Sequence, residues 1–230
     1  MNGVIIYGSP NRINSTSGRL AKPFTQGLRD AGWTIEEIVL YDKEIGHCTG
    51  CKSCWTSTPE HCTQSDDMTA ITELLRSAQL LVIATPLYFF TVPGMVKDFI
   101  DRQLALNYGA YQKALGKIPL DTIVWPETCK VVLISPCGFP GLSNFDVLEA
   151  MMKKIYGKAF AESLYIPSAN PIIRDTDGTK FIELYDTIRK LGHEFGMAGS
   201  FSAQSWENFV SITEEMSRAN YSRFAALGNR

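Results

Sequence analysis

Four cysteines lie close together in one stretch of the chain, in the pattern C-x2-C-x2-C-x7-C formed by Cys48, Cys51, Cys54 and Cys62. Thiolates at this spacing wrap a single cluster, and four of them are the full ligand set of a [4Fe–4S] centre. A zinc ion held by four thiolates is one alternative, although three such closely spaced ligands are less usual for zinc. Another is that four reduced thiols pack a loop or a subunit contact. We therefore treat these cysteines as candidate [4Fe–4S] ligands.

A second stretch, residues 9–17, is rich in hydroxyl and amide side chains and leads into a segment with helical spacing of apolar residues. Hydroxyls and backbone N–H groups at the positive end of a helix bind phosphate, and an arginine adds a charge-assisted contact. The stretch contains neither G-x-G-x-x-G nor G-x-x-x-x-G-K-[ST], so it supports neither a dinucleotide fingerprint nor a Walker loop. The alternative is an ordinary N-capped helix after a turn. The candidate cofactor-binding residues of this stretch are Ser9, Asn11, Arg12, Ser15, Thr16 and Ser17.

Two further loops have the composition of a site for a flat ring. Residues 86–92 place the aromatics 88–90 beside prolines, where they cover a ring face while backbone amides bind its polar edge. Residues 136–141 include Cys137 and Gly138, and glycine lets the backbone approach a ligand closely. The alternatives are an aromatic core patch in the first loop and, in the second, a cysteine that fills a small apolar space.

The surrounding elements predict how these loops are placed. Short apolar runs that predict strands alternate with helix-spaced segments, an order typical of a parallel sheet covered by helices on both faces. The three loops follow strands one, three and four, so we expect them to meet beyond the carboxyl ends of the strands, where such sheets bind ligands. Residues 103–128 are less regular and predict an insertion or lid. The predicted strands are residues 3–7, 35–40, 80–84, 130–135 and 159–166, and the predicted helices are 15–32, 66–77, one from 94, 146–156, 181–195 and one in the last thirty residues.

Four motifs stand in the order found in a known family. They are Gly8-Ser9-Pro10-Asn11-Arg12 with residues 14–17, Thr85-Pro86-Leu87-Tyr88-Phe89 with residues 93–102, Ile134-Ser135-Pro136-Cys137-Gly138-Phe139, and the cysteine segment with Trp55 and Asp66-Asp67-Met68. Together they resemble the NADPH-dependent FMN reductase-like proteins of the flavodoxin superfamily, and the cysteine segment is similar to that of the iron–sulfur flavoprotein branch. The resemblance covers roughly residues 1–165.

The resemblance implies a flavodoxin-like α/β three-layer sandwich with a five-stranded parallel sheet in the order 2-1-3-4-5. It implies a single FMN-binding domain over residues 1–230, with a helical C-terminal extension from about residue 170. The residues of loop 9–17 would hold the FMN phosphate. The residues implied to border the flavin ring are Pro86, Leu87, Tyr88 and Phe89, with Cys137 and Gly138 on the other edge.

The activity that the resemblance implies is FMN-dependent NAD(P)H oxidoreduction. Hydride passes from NAD(P)H to FMN N5, and electrons then pass to a quinone, a flavin, a nitro or azo compound, or an iron–sulfur centre. The alternative is an iron–sulfur flavoprotein or a flavodoxin-like electron carrier that takes electrons from a protein donor such as ferredoxin. No side chain is assigned a catalytic role, and we expect a homodimer or homotetramer.

Composition excludes several other classes of protein. The 230 residues carry 22 Lys and Arg against 24 Asp and Glu, for a formal net charge of -2. This balance argues against a nucleic-acid or membrane-surface partner. Pro86, Pro93 and Gly94 interrupt the longest apolar stretch, so we expect no membrane span. We expect a cytoplasmic protein with reduced cysteines.

Overall fold

The computed structural model describes residues 1–107 and 129–227. Five parallel strands form one sheet in the order β2-β1-β3-β4-β5, which confirms the predicted fold and strand order. From residue 108 onward, the predicted insertion or lid lies outside the described residues, and residues 103–107 form a short 3-10 helix. The strands are β1 (Asn2–Tyr7), β2 (Thr34–Val39), β3 (Leu80–Ala84), β4 (Lys130–Pro136) and β5 (Phe160–Ile166). The helices are α1 (Thr16–Asp30), α2 (Met68–Ser77), α3 (Gly94–Arg102), α4 (Asp146–Tyr156), α5 (Ile182–Ala198) and α6 (Ala203–Leu227).

The apolar runs of the sequence become strands because both faces of the sheet are covered. Successive side chains of a strand point to opposite faces. Accordingly, Val4 and Ile6 of β1 join one apolar cluster, together with α2, α3 and α4, while Ile5 and Tyr7 join a second cluster with α1 and α5. A strand that is buried on both sides reads as a continuous apolar run, and all five residues of β3 are buried.

The predicted C-terminal extension is helical, but its two helices have different positions. Helix α5 packs along α1 and fills one layer of the sandwich, while α6 follows it and contributes Phe209 to the same apolar cluster. Pro23 lies in the middle of α1.

Two glycines allow α1 and α5 to pack with their backbones in direct contact. A Cβ atom on Gly27 of α1 would stand 2.0 Å from the carbonyl oxygen of Arg189, and one on Gly192 of α5 would stand 2.2 Å from that of Phe24. Because both obstacles are backbone atoms, neither can move aside without separating the helices. These glycines therefore fix the distance between α1 and α5.

We expect Gly192→Ala to lower the free energy of unfolding by about 1–3 kcal/mol, the range for overpacking a tight interior. Gly94→Ala is the matched control, since a Cβ at Gly94, which also lies in a helix, meets no atom within 4 Å. Urea denaturation followed by far-ultraviolet circular dichroism measures both changes. Equal stabilities for the two variants would contradict the close packing of α1 on α5.

Candidate functional site

The loops that follow the strands are joined to one another by backbone hydrogen bonds at the carboxyl edge of the sheet. These bonds continue the parallel pairing beyond the regular strands, so that each loop begins at a position set by its neighbour. They run from Gly8 N to Ala84 O (2.8 Å), from Thr85 N to Ile134 O (3.0 Å), from Leu87 N to Pro136 O (3.1 Å) and from Cys137 N to Ile166 O (3.0 Å).

The same edge carries a crevice with a volume of about 280 Å³, at the position where the order of the strands reverses between β1 and β3. All three loops singled out in the sequence contribute to it. The structure therefore brings together most of the residues expected to bind a cofactor. The lining residues are Ser9, Asn11, Ser15, Thr16, Ser17, Pro86, Leu87, Tyr88, Pro136, Cys137, Gly138, Ala169, Asn170 and Ile173.

One end of the crevice is the first turn of α1. Ser15 is the N-cap residue, and its Oγ accepts a hydrogen bond from Gly18 N (3.0 Å) and lies 3.1 Å from Ser17 Oγ. The N–H groups of Thr16 and Ser17 open the helix and have no acceptor within it, since the first N–H groups of a helix lack intrahelical partners. This end thus combines hydroxyls, backbone donors and the positive end of a helix, the features of an anion site.

Gly18 holds the loop 9–15 close against this turn. A Cβ atom at this position would stand 2.4 Å from the carbonyl oxygen of Ile13. The loop and the start of the helix are therefore one compact unit, because the loop backbone passes over a residue that has no side chain.

The other end of the crevice is uncharged and partly apolar. Pro86, Leu87 and Tyr88 form one wall, and Cys137 and Gly138 form the opposite edge. The Cys137 thiol donates to the carbonyl oxygen of Phe139 (3.2 Å), and burial raises the pKa of this thiol, so that it stays neutral. Among the described residues, the crevice lining contains no Asp, Glu, His, Lys or Arg.

Two residues expected at the cofactor site lie elsewhere. The Arg12 side chain is half exposed and pairs with the Asp42 carboxylate, outside the crevice lining. Phe89 is 96% exposed and is also absent from the lining. The sequence shows neither fact, since the direction of Arg12 depends on an acidic partner 30 residues away.

Phe89 and Phe90 instead form the tip of a two-residue turn. Tyr88 and Thr91 pair as an antiparallel bridge, and the φ angles of Phe89 and Phe90 are 49° and 68°. A turn with positive φ at both central residues is the type normally made by Asn-Gly. Left-handed backbone disfavours bulky side chains, so this exposed aromatic tip is a strained segment beside the crevice.

The loop after β5 is a part of the crevice that the sequence analysis missed. Ala169, Asn170 and Ile173 line it, and the Asn170 side chain packs so closely on Gly138 that a Cβ there would meet its Oδ1 at 2.7 Å. The sequence could have indicated this loop, because the predicted fifth parallel strand also ends at the carboxyl edge of the sheet.

The four clustered cysteines line a second cavity, with a volume of about 370 Å³. Cys48 and Cys51 are exposed, Cys62 is partly buried and Cys54 is buried. Within the described residues, no three His, Cys, Asp or Glu side chains are placed to hold a single metal ion. The four thiols therefore surround a space without converging on one point.

The thiols are near enough to affect one another electrostatically. Burial raises the pKa of Cys54, and the neighbouring Cys62, Cys51 and Cys48 raise it further. In contrast, hydrogen bonds from Ser53 lower the pKa of Cys51 to about 7. The cavity thus holds thiols of different acidity on one short segment.

Arg102, in the wall of this cavity, forms an ion pair with Asp66. Arg102 Nη1 and Nη2 donate to the two carboxylate oxygens of Asp66 at 2.6 and 2.9 Å, and Arg102 lines the cavity. Asp66 also accepts from the backbone N–H of Met68, the first residue of α2 (3.1 Å). Burial alone would raise the pKa of Asp66, but the Arg102 and Gly46 hydrogen bonds outweigh it and hold that pKa below its ordinary value.

A five-stranded parallel sheet of this order, with a crevice at its switch point, defines a flavodoxin-like α/β protein. The family model described as "Flavodoxin-like fold" matches residues 1–118, and the chain belongs to this family.

Curated relatives that match in sequence carry the name iron-sulfur flavoprotein. One from Archaeoglobus fulgidus is 31% identical over 125 residues, which are 54% of this chain and 54% of that protein. Another from the same organism is 36% identical over 107 residues, 46% of this chain and 51% of that protein. The chain thus spans about half the length of the curated relatives it matches.

Solved structures resemble this chain over most of its length. An FMN-dependent NADH-azoreductase from Bacillus anthracis in complex with FMN has a TM-score of 0.57 at 16% identity, covering 85% of this chain and 100% of that one. A putative quinone reductase from Klebsiella pneumoniae has a TM-score of 0.59 at 21% identity, covering 85% and 83%. At such identities the likeness shows a shared fold. Among the described residues, no helix is long and apolar enough to cross a membrane.

We expect Phe90→Gly to raise the free energy of unfolding by about 1 kcal/mol, because glycine relieves the left-handed strain at this position. Phe139→Gly is the control, since Phe139 is also exposed but is not among the described residues with positive φ. Replacement there should leave stability unchanged or lower it. Urea denaturation compares the two, and a Phe90→Gly protein less stable than the parent would contradict the strained turn.

Proposed function

We propose that this chain is an FMN-dependent NAD(P)H oxidoreductase that reduces a small acceptor such as a quinone, a flavin, or a nitro or azo compound. The observation that carries the proposal is the crevice at the carboxyl edge of the sheet. Hydroxyls and a helix N-terminus form one end, and prolines, an aromatic and a neutral thiol form the other. This division matches a ligand with a phosphate at one end and a flat ring at the other.

The residues present fit FMN in their chemistry. The hydroxyls of Ser9, Ser15, Thr16 and Ser17, with the first N–H groups of α1, would hold the phosphate, and Asn11 lies beside them. Ser9 and Ser17 line the crevice and are almost fully buried, so they are shielded from bulk water. Arg12 has no part in this proposal because its guanidinium pairs with Asp42.

The ring would lie between the loop 86–88 and the edge formed by Cys137 and Gly138. FMN, when bound, supplies the hydride and electron chemistry. The protein's part is to bind, orient and shield, since the described lining of the crevice contains no Asp, Glu, His, Lys or Arg and burial keeps the Cys137 thiol neutral. A neutral Cys137 adds no negative charge at the ring edge.

The remaining expectations belong to the same proposal. Residues 1–230 would form one flavodoxin-like domain, and the free thiols favour a reducing compartment such as the cytoplasm. A homodimer or homotetramer would cover the exposed aromatics next to the crevice, Tyr88, Phe89 and Phe90.

We expect Ser17→Ala to weaken FMN binding by about 10- to 100-fold, the effect of losing one hydrogen bond to a charged group. Fluorescence titration of the FMN-free protein measures the dissociation constant. Arg12→Ala is the control and should stay within about two-fold of the parent, since an exposed ion pair contributes little. A large effect of Arg12→Ala with none of Ser17→Ala would overturn the phosphate assignment.

Steady-state oxidation of NADH and NADPH with a benzoquinone, without oxygen, tests the activity itself. We expect the FMN-loaded protein to exceed the rate given by the same concentration of free FMN. A rate no higher than that of free FMN would contradict the reductase proposal and favour an electron carrier supplied by a protein donor such as ferredoxin.

A second proposal is that the cysteine cavity holds a [4Fe–4S] cluster, supported by the fact that Cys48, Cys51, Cys54 and Cys62 line one space. In such a cluster each thiolate binds a different iron, so the four sulfurs surround the cluster rather than meet at one ion. The buried Nε of Arg102 at the cavity wall makes no hydrogen bond to a described residue, which leaves a donor for a ligand sulfur. The relatives' name, iron-sulfur flavoprotein, supports the same proposal.

Iron and acid-labile sulfide, assayed on protein purified without oxygen, test this second proposal. We expect about four iron atoms per chain, and their loss in Cys51→Ser and Cys62→Ser. Cys129→Ala is the control, because Cys129 is buried outside the cavity lining. Protein that contains zinc or no metal would overturn the cluster assignment.

A further inference from the structure

Arg102 is a charged side chain buried in the wall of the cysteine cavity. Its side chain has a relative exposure of 0%, and it occupies the last residue of α3. Burying a guanidinium is unfavourable unless its donors are satisfied. The partners of Arg102 therefore show what the residue does.

These partners come from both ends of the cysteine segment, residues 46–66. Before the first cysteine, the carbonyl oxygen of Gly46 accepts from Arg102 Nη1 at 2.9 Å. After the last, Gln64 Oε1 accepts from the same nitrogen at 3.4 Å, and Asp66 accepts from Nη1 and Nη2. One guanidinium thus joins the two limbs of the cysteine segment, residues 46–47 before the cysteines and residues 64–66 after them. The only regular structure within this segment is a three-residue 3-10 turn, 53–55.

Two more hydrogen bonds connect the limbs directly. Gly46 N donates to Asp66 Oδ2 at 2.9 Å, and Gln64 Nε2 donates to the carbonyl oxygen of His47 at 3.0 Å. The carboxylate of Asp66 and the amide of Gln64 therefore serve both Arg102 and the opposite limb. Removing the guanidinium would leave Gln64 Oε1 without its donor and would take two of the four hydrogen bonds from the Asp66 carboxylate.

The third nitrogen of the guanidinium has a different environment. Arg102 Nε is buried and makes no hydrogen bond of normal geometry to a described residue. Arg102 and Cys62 line the same cavity, so this unused donor and the Cys62 sulfur border one space. Cys62 is the cysteine farthest along the chain from the other three, separated from Cys54 by seven residues.

We propose that Arg102 is a positioning residue of the cysteine cavity, which joins the two limbs of the segment 46–66 and offers its Nε–H to the sulfur of Cys62. This inference depends on the proposed [4Fe–4S] cluster only for the identity of the group that occupies the cavity. The contact between Arg102 and Cys62 explains how Cys62, which is separate in the sequence, comes close to the other three cysteines of the compact C-x2-C-x2-C run. A purely structural ion pair would have no specific effect on Cys62.

The test uses full-length protein from which metal has been removed by chelation, so that neither readout depends on a cluster. Arg102→Lys keeps the charge but loses the planar fork and Nε. Arg76→Lys is the matched control, because Arg76 also donates to the cysteine segment, at the carbonyl oxygen of Glu60, but does not line the cavity. The readouts are hydrogen–deuterium exchange over residues 46–66 and the ratio of alkylation rates of Cys62 and Cys51 by iodoacetamide.

We expect Arg102→Lys to speed exchange in the segment about ten-fold and to change the Cys62-to-Cys51 ratio about five-fold in either direction, with Arg76→Lys within two-fold of the parent in both. Unchanged exchange and ratio would overturn the proposal. Faster exchange with an unchanged ratio would overturn the assignment of Nε to Cys62.

Slower refolding or loss of protection in β1 and β3 would mean that Arg102→Lys disturbs the whole sheet. In that case, hydrogen–deuterium exchange and the alkylation ratio are measured on the double variant Arg102→Met with Asp66→Asn. This variant leaves no unpaired buried charge. Iron assays of the parent protein, made separately, decide the cluster assignment. The two proposals can therefore fail independently.

Discussion

The parallel pairing of strands at the carboxyl edge of the sheet is the constraint on which both candidate sites depend. The ladder does not stop where the regular strands end, because Gly8, Thr85, Leu87 and Cys137 each donate a backbone hydrogen bond to a residue at the end of a neighbouring strand. Each loop therefore leaves the sheet at a fixed position and in a fixed direction. Groups far apart in the sequence become the walls of one crevice without any covalent or ionic link between the loops.

Helix α3 extends this constraint to the cysteine cavity. A Cβ atom on Gly8 would stand 2.3 Å from Cγ2 of Val96, so the first turn of α3 packs directly on the loop after β1. Eight residues after Gly94, the same helix ends in Arg102, which contacts both limbs of the cysteine segment. A helix is a stiff rod over this length. The packing of one end on the crevice thus sets where the other end meets the cysteines.

Features encoded by local pattern could be predicted from the sequence, and features set by distant partners could not. The run 80–84 is apolar at every position and is the fully buried β3, and the cap at Ser15 lies where its hydroxyl and the following helical spacing indicate. The direction of Arg12 depends on Asp42, and the partner of Arg102 is Asp66, 36 residues away. No spacing rule relates such pairs, because the fold alone brings them together.

The crevice and the cysteine cavity offer a ligand different kinds of chemical groups. The described lining of the crevice has no ionisable charge and relies on hydroxyls and backbone donors, which suits a ligand that brings its own charge and its own chemistry. The cysteine cavity instead has a buried guanidinium in its wall, which pairs with the Asp66 carboxylate. Buried ion pairs are rarely retained for stability alone, since apolar residues of similar volume often serve as well or better. The Asp66–Arg102 pair is therefore better explained by its position, because these two side chains bind both limbs of the cysteine segment.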